Sequence, residues 1–227
     1  MNVCFAPCPV IFDLDGTLID SAPDIHACVN AVLRLNGTRP LTLDQVRGFV
    51  GGGVDLLWRR VITATGLPVE AHRDLVASFM TRYHDATALT RLYPNVIEAL
   101  GVLADRGHPL GICTNKPLGP TRAVLDHFGI GQLFGTVIGG DSLPQRKPDP
   151  APLRAAFAAL GSDPETPRGI FVGDSEFDVE TASNTGVPML LFLRGYRKTP
   201  VEDLPHRAAF DDFRQLPALV EDAAMAG

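Results

Sequence analysis

The chain of 227 residues lacks the features that mark membrane-spanning, secreted and cysteine-ligated metal proteins. No apolar run approaches the roughly 20 residues that a transmembrane helix needs. The first ten residues have neither the basic segment nor the full apolar segment of a secretory signal. The cysteines form no CxxC pair, so no zinc site is indicated; they are Cys4, Cys8, Cys28 and Cys113. We therefore expect inert thiols in a protein of the reducing cytoplasm.

Positive charge is also scarce. The chain has 20 Lys and Arg against 26 Asp and Glu, a net charge of −6, so we expect no nucleic-acid partner. We expect no membrane partner either. The apolar content of 45% is enough for a packed core, and the length suits one or two domains. Nothing in the sequence decides between a monomer and a homo-oligomer.

Five short apolar runs are present, and four of them stop abruptly at polar residues. The runs cover residues 10–12, 110–113, 137–138, 170–172 and 189–193. Continuous apolar runs of this length are typical of strands buried on both faces, and helical patterns lie between them. This alternation predicts an α/β fold with a doubly wound, mostly parallel sheet, a Rossmann-like core. The polar residues at the strand ends should then gather along one edge of the sheet.

The stretch that follows the first strand shows no strand signal. Ser21-x-x-Asp24 and Thr42-x-x-Gln45 have the form of capping boxes, which begin helices. An apolar stripe at helical spacing over residues 75–83 predicts a helix packed in a core rather than on a partner. We therefore expect a helical insertion that forms a second domain. The predicted division is an α/β core of residues 1–19 and 90–227 and a helical domain of residues 20–89.

The first polar strand end is Asp13-Leu14-Asp15-Gly16-Thr17. Two carboxylates two residues apart on an extended chain face the same side. The glycine permits a tight turn that exposes them. Because like charges repel, a bound cation is the simplest reason to keep both ionised. An ordinary Asp-Gly turn and a glycosyltransferase DxD site are the alternatives for this motif alone.

Two further motifs, one of them at a strand end, carry groups that suit an anion. Thr114-Asn115-Lys116 offers a hydroxyl and amides, although a loop start or helix cap explains it equally well. Lys147 precedes Pro148, which restricts it to an extended conformation. The alternative for Lys147 is a solvent-exposed lysine.

The last polar strand end contains Asp174 and Asp178, four residues apart. If a helix begins here, both carboxylates lie near its N-terminus, where negative charge is favoured. Helix capping accounts for one of them. Helix capping does not explain why further acids lie on the same predicted sheet edge as Asp13 and Asp15.

In this order, the four motifs resemble those of the haloacid dehalogenase superfamily: DxDGT, then Ser/Thr, then Lys, then GDxxxD. The resemblance covers essentially the whole chain, with the helical insertion in the place of the family's cap domain. It implies a phosphatase that works through an aspartyl-phosphate. Dehalogenating members carry a different residue at the position of Asp15, so the sequence indicates phosphotransfer.

The resemblance also implies a role for each motif. Asp13 is the expected nucleophile, and Asp15 the acid that protonates the departing alkoxide and then deprotonates water. Thr114 would donate a hydrogen bond to the phosphoryl group, and Lys147 would offset its charge and that of Asp13. Mg²⁺ is the expected cofactor. Its implied ligands are the Asp13 carboxylate, the Asp15 backbone carbonyl and the Asp174 carboxylate, with Asp178 orienting metal-bound water or a neighbour.

Within the family, the strings CTNKP, GGDSLPQRKPDP and VGDSEFD most resemble members that act on 2-phosphoglycolate, which is the expected substrate. The expected substrate-binding residues are Gly16, Thr17, Asn115, Lys116, Gly51, Gly52 and Gly53. For the glycine loop the alternative is a flexible turn. A carboxylate on the substrate needs a cation, for which Lys116 is the first candidate, followed by Arg59 or Arg60.

Several alternatives keep part of this interpretation. The same site could serve a sugar-phosphate, nucleotide or pyrophosphate phosphatase, or a mutase similar to β-phosphoglucomutase. A signalling receiver domain also uses a phosphorylatable aspartate, but it is about half this length and lacks inserted helices. A non-catalytic descendant is disfavoured because every motif retains chemically competent residues.

Overall fold

The computed structural model describes residues 7–225. The strands in that range are β1 (Val10–Phe12), β2 (Ile19–Asp20), β3 (Arg91–Leu92), β4 (Leu110–Cys113), β5 (Thr136–Ile138), β6 (Ile170–Gly173), β7 (Met189–Phe192) and β8 (Ala208–Phe210). The helices are α1 (Ala22–Leu35), α2 (Leu43–Arg47), α3 (Gly53–Thr65), α4 (His72–Tyr83), α5 (Val96–Asp105), α6 (Leu118–His127), α7 (Ala151–Ala159), α8 (Glu176–Thr185) and α9 (Leu216–Met225).

The main sheet has six strands in the order β5-β4-β1-β6-β7-β8, and every pairing in it is parallel. Strand β1 lies between β4 and β6, with Phe12 opposite Ile112 on one side and Val172 on the other. The predicted α/β fold with a doubly wound, mostly parallel sheet is confirmed. All five apolar runs that the sequence marked as strands lie in it.

Both faces of the sheet are buried at its four central strands, β4, β1, β6 and β7, which is why these strands carry no polar side chain. Val10 and Phe12 of β1 pack in one layer with helices α5, α6 and α9, whereas Ile11 points to the other layer with α7 and α8. The same alternation separates Phe171 from Val172 in β6. Each such side chain, once buried, contributes about 1.5 to 3 kcal/mol.

Helices α1 to α4 follow the first strand, as the absence of a strand signal predicts, and they share a separate apolar core. The stripe over residues 75–83 lies inside this core. Phe79 packs edge-on against Trp58, with ring centroids 5.8 Å apart, and stacks on Tyr83 at 4.7 Å. The division between core and helical domain, at residues 19/20 and 89/90, stays a prediction.

One of the two predicted capping boxes is confirmed and the other is wrong. The Thr42 hydroxyl accepts from the Gln45 N–H, and the Gln45 side chain accepts from the Thr42 N–H. Ser21 makes no such bond to α1. Its hydroxyl donates to Asp15 instead, at 2.6 Å, and Asp24 accepts from the backbone N–H groups of residues 89 and 90. Tertiary partners thus replace the local capping partners.

The sequence patterns did not predict four of these elements, β2, β3, β8 and α9. Strands β2 and β3 are two residues each and pair antiparallel, joining both ends of the helical insertion. They are too short for periodicity to show. Strand β8 and helix α9 complete the sheet edge and one of its layers.

No helix within residues 7–225 is long and apolar enough to cross a membrane. Cys8, Cys28 and Cys113 carry free thiols. Cys4 lies outside the described residues, as do the other residues of the segment 1–6 and residues 226–227.

Candidate active site

The predicted motifs meet at the carboxyl edge of the sheet. Asp13 follows β1, Thr114 follows β4, and Asp174 follows β6, and these three strands are adjacent. The Asp13 N–H donates to the Val172 carbonyl at 2.8 Å, which continues the ladder to the point where the polar residues begin. This arrangement is the one that a parallel sheet dictates for residues just beyond its strands.

A cluster of buried acids lies at the centre of this edge. Carboxylate oxygens of Asp13, Asp174 and Asp178 all lie within 4.8 Å of one another. Asp174 is held by the Thr17 hydroxyl at 2.8 Å and by the Tyr196 N–H at 2.6 Å. These contacts fix the Asp174 carboxylate beside Asp13.

Lys147 stands between two of these acids. Its Nζ lies 2.6 Å from Asp178 Oδ1 and 3.0 Å from Asp13 Oδ1, and its side chain is 1% exposed. The solvent-exposed alternative for Lys147 is therefore wrong. Burial lowers the pKa of Lys147, but the charges of Asp13 and Asp178 outweigh burial and raise it. This ammonium remains charged at neutral pH.

Asp178 uses both carboxylate oxygens within the protein. Oδ1 accepts from Lys147, and Oδ2 accepts from the Ser175 hydroxyl at 2.6 Å and from the Ser175 N–H at 2.9 Å. The contact from the Ser175 N–H is the Asp178 half of the capping box at the start of α8. Asp178 therefore holds Lys147 and the helix start.

Asp13 is less fully paired. Its Oδ1 is buried and lies 3.0 Å from Lys147 Nζ, which makes its shorter contact with Asp178. Burial, followed by the charge of Asp178, raises the pKa of Asp13 to about 7, while Lys147 lowers it. Burial and the charges of Asp178 and Asp13 also raise the pKa of Asp174. One ammonium does not neutralise three buried carboxylates, so the cluster fits a hard divalent cation.

Asp15 belongs to a different group of contacts. Its Oδ1 accepts from the Ser21 hydroxyl at 2.6 Å and from Lys116 Nζ at 3.2 Å. Lys116 Nζ also donates to the Tyr83 hydroxyl and lies 4.3 Å from the centre of the Tyr83 ring. The Lys116 side chain is 3% exposed, so both of its polar partners come from inside the protein.

Asp13 and Asp15 face a cavity of about 430 Å³, counting the part that opens to solvent. The sheet edge lines one side of it with polar groups, and the helical insertion lines the other with apolar ones. The lining from the sheet edge is Asp13, Asp15, Thr114, Asn115, Lys116 and Pro117. The lining from the insertion is Ile25, Val50, Gly51, Gly53, Val54, Leu57, Phe79 and Tyr83.

Gly16 and Thr17, two of the predicted substrate-binding residues, lie against Asp174 in the structure. Thr17 is fully buried and donates to Asp174, and a side chain at Gly16 would collide with the Asp174 carboxylate. Gly16 and Thr17 are outside the cavity lining. Their role in substrate binding stays a prediction.

Of the three candidate cations for a substrate carboxylate, one lines the cavity. Lys116 lines it, whereas Arg59 and Arg60 do not. Arg59 pairs with Asp55 at 2.7 Å, and Arg60 donates to the Phe49 carbonyl at 3.0 Å.

The glycine loop is packed against the sheet edge, unlike the flexible turn considered as its alternative. Asn115 Nδ2 donates to the Gly51 carbonyl and to the Lys147 carbonyl, both at 3.0 Å. A side chain at Gly52 would come within 2.3 Å of the Leu56 side chain and 3.1 Å of the Phe177 ring. Crowding by the loop's own helix and by the core together accounts for the glycine at position 52.

The sequence patterns miss three contributors to the site. Ser21 donates a hydrogen bond to Asp15, and Tyr83 accepts one from Lys116. Tyr196 donates its hydroxyl to Asp20 at 2.7 Å and accepts from the Ser21 and Ala22 N–H groups. Tyr196 follows the end of β7, so the strand-end rule that located the motifs would have included it.

The family is shown by comparison with known proteins. The model of the haloacid dehalogenase-like hydrolases matches residues 10–192, so the chain belongs to that family and is a hydrolase. The expected family is confirmed. The receiver-domain and glycosyltransferase alternatives are wrong.

Particular relatives are similar over nearly the whole chain. A phosphoglycolate phosphatase of Cereibacter sphaeroides strain ATCC 17029 is 49% identical over 93% of this chain and 96% of its own. A phosphoglycolate phosphatase of Rhodobacter capsulatus is 47% identical over the same shares. A crystal structure described as a predicted phosphoglycolate phosphatase from Haemophilus somnus 129pt has a TM-score of 0.88 at 31% identity, covering 94% of this chain and 97% of that one.

Proposed function

We propose that this chain is a Mg²⁺-dependent phosphatase that hydrolyses 2-phosphoglycolate to glycolate and phosphate. The observation that carries the proposal is the 49% identity to a phosphoglycolate phosphatase over 93% of the chain. The geometry supports the chemistry, because Asp13 lines the cavity and its carboxylate lies beside the buried ammonium of Lys147, 3.0 Å from Nζ. Stabilising charge at that point is the main task in phosphoryl transfer.

The metal would be held by the Asp13 carboxylate, the Asp15 backbone carbonyl and the Asp174 carboxylate. When bound, Mg²⁺ supplies positive charge that offsets the phosphoryl oxygens and the clustered acids. Asp178 is the member of the cluster whose oxygens are already satisfied, by Lys147 and Ser175. We therefore assign Asp178 to holding its neighbours in place rather than to the metal itself.

Asp13 is the proposed nucleophile. A bond forms between its carboxylate oxygen and phosphorus as the bond from phosphorus to the ester oxygen breaks. Asp15 gives its proton to the departing alkoxide. It then takes a proton from a water molecule that attacks phosphorus, which releases phosphate and restores Asp13. Thr114 and Lys147 would stabilise the phosphoryl group during both steps.

The substrate carboxylate would meet Lys116. A lysine ammonium has three N–H donors, and two of them are directed to Asp15 and Tyr83. The third is left for a carboxylate in the cavity, which Asn115 and the glycine loop of residues 51–53 would enclose. Residues 20–89 would act as a cap domain that closes over the core and excludes water. The free thiols are in keeping with a cytoplasmic location.

The proposal is tested by a panel of phosphate esters assayed with saturating Mg²⁺. We expect kcat/KM for 2-phosphoglycolate to exceed that for sugar phosphates, nucleotides and pyrophosphate by at least about tenfold, the worth of one well-placed charged hydrogen bond. The same panel, with glucose 1-phosphate followed for isomerisation, tests the mutase alternative. Equal kcat/KM across the panel would overturn the substrate assignment, while leaving the phosphatase chemistry in place.

A further inference from the structure

We infer that Tyr83, on helix α4 of the insertion, is a positioning residue that holds Asp15 in its working orientation through Lys116. The inference rests on the proposed function, in which Asp15 transfers the proton. It is carried by one chain of contacts: the Tyr83 hydroxyl accepts from Lys116 Nζ, and Lys116 Nζ donates to Asp15 Oδ1 at 3.2 Å.

The ammonium of Lys116 needs both partners because it is buried. A charged group that is removed from water is costly unless its hydrogen bonds are replaced. Here Asp15 supplies the opposite charge, and Tyr83 supplies an acceptor and the face of its ring, 4.3 Å from Nζ. The flexible stem of a lysine does not fix its own end. Tyr83 therefore sets where the Lys116 ammonium lies.

Anchoring one oxygen of Asp15 leaves the other one available. Oδ1 takes the hydrogen bonds from Lys116 and Ser21. Within residues 7–225, both side-chain hydrogen bonds to Asp15 fall on Oδ1, and Asp15 lines the cavity. An acid that protonates a leaving group must present an oxygen within hydrogen-bond reach of it. The contacts on Oδ1 thus orient the carboxylate so that Oδ2 can do this.

Tyr83 links this orientation to the position of the insertion. Its ring stacks on Phe79, which packs on Trp58 in the core of α1 to α4. The residue is buried and lies at the last position of α4. Lys116, by contrast, belongs to the sheet edge after β4. Asp15 is therefore aligned only while α4 lies against that edge.

The test is Tyr83→Phe, which keeps the ring and its stacking and removes the acceptor oxygen. Two esters without a carboxylate are compared: 2-hydroxyethyl phosphate, whose alkoxide needs a proton to leave, and 4-nitrophenyl phosphate, whose phenolate does not. We expect kcat/KM to fall about tenfold for the alkyl ester and by less than about twofold for the aryl ester, because only the former draws on general acid catalysis.

Tyr93→Phe is the matched control. The Tyr93 hydroxyl donates to the Arg194 carbonyl, and Tyr93 is outside the cavity lining, so both esters should be turned over as by the wild type. If Tyr83→Phe does not fold, Lys116→Met, which keeps the apolar stem, should show the same selective loss on the alkyl ester.

Three results would overturn the inference. An equal loss on both esters would make Tyr83 a structural residue, and no loss would remove its role. If 2-phosphoglycolate is assayed alongside and it alone shows a loss, Tyr83 would serve only the carboxylate binding already proposed for Lys116. Failure of the wild type on every ester is a different outcome, because it overturns the phosphatase itself and the role of Tyr83 with it.

Discussion

The two walls of the cavity are built in opposite ways. On the sheet edge, charged groups hold one another: Lys147 is fixed between two acids, and Asp174 is fixed by Thr17 and Tyr196. On the insertion, the lining is almost wholly apolar and Tyr83 provides a polar side-chain atom that reaches the charged groups. In the proposed mechanism, the strand ends therefore supply the chemistry, whereas the insertion shapes the space and orients one acid.

The strongest test of this contrast is Asp13→Asn on the sheet edge. The amide is a poor nucleophile and carries no charge, so we expect kcat for 2-phosphoglycolate to fall by at least about 10⁴-fold, as when a catalytic nucleophile is removed elsewhere. Asp149→Asn is the control, because Asp149 is an exposed acid that caps the start of α7. Activity of Asp13→Asn within tenfold of wild type would contradict its role.

Lys147→Met should be the next most damaging change. It removes the one ammonium between Asp13 and Asp178 and leaves both carboxylates buried. We expect the free energy of unfolding, measured by urea denaturation, to fall by about 3 to 5 kcal/mol. Activity should fall by about 10²-fold or more, from the loss of one preorganised charge. Unchanged stability would mean that the acids do not depend on Lys147.

The buried acids also predict how stability changes with pH in the metal-free protein. The pKa of Asp13 is raised to about 7 in the folded chain, from an ordinary value of 3.8, and that of Asp174 is raised as well. Between these values the folded state binds more protons than the unfolded state, so stability falls as pH rises from about 4 to about 7.

Thermal unfolding in EDTA and in Mg²⁺ checks this prediction. The Tm in EDTA should fall across this pH range, and the increase in Tm on adding Mg²⁺ should grow with pH, because the metal and the protons compete for the same oxygens. A Tm difference that does not depend on pH would contradict a metal bound by Asp13 and Asp174.

The smallest effect is expected where the two walls meet. Gly52→Ala places a methyl group against Phe177 and Leu56, at a backbone conformation that alanine tolerates. We expect KM to rise severalfold and kcat to change little, since uniform binding is lost rather than transition-state binding. Gly101→Ala is the matched control, because its methyl group would meet open space inside helix α5. A kcat loss as large as that of Lys147→Met would contradict the claim that the glycine loop shapes the cavity without taking part in the chemistry.

The sequence predicted the site residues on the sheet edge much better than those on the insertion. Asp13, Thr114 and Asp174 follow buried strands, and parallel pairing brings strand ends together whatever the loops do. Tyr83 was assigned to the packed stripe of α4, and it is packed there. Its contact with Lys116 depends on how the insertion lies on the sheet. No local pattern encodes that placement, and Ser21 was misassigned for the same reason.

Phosphate on Asp13 is the observation that tests the central claim most directly. Enzyme mixed with 2-phosphoglycolate and Mg²⁺ is quenched in acid during the first turnover, and the modified peptide is located by mass spectrometry. We predict phosphate on Asp13 that forms and decays at rates sufficient for steady-state turnover. Turnover without phosphate on Asp13, or with phosphate on another side chain, would contradict the proposed mechanism.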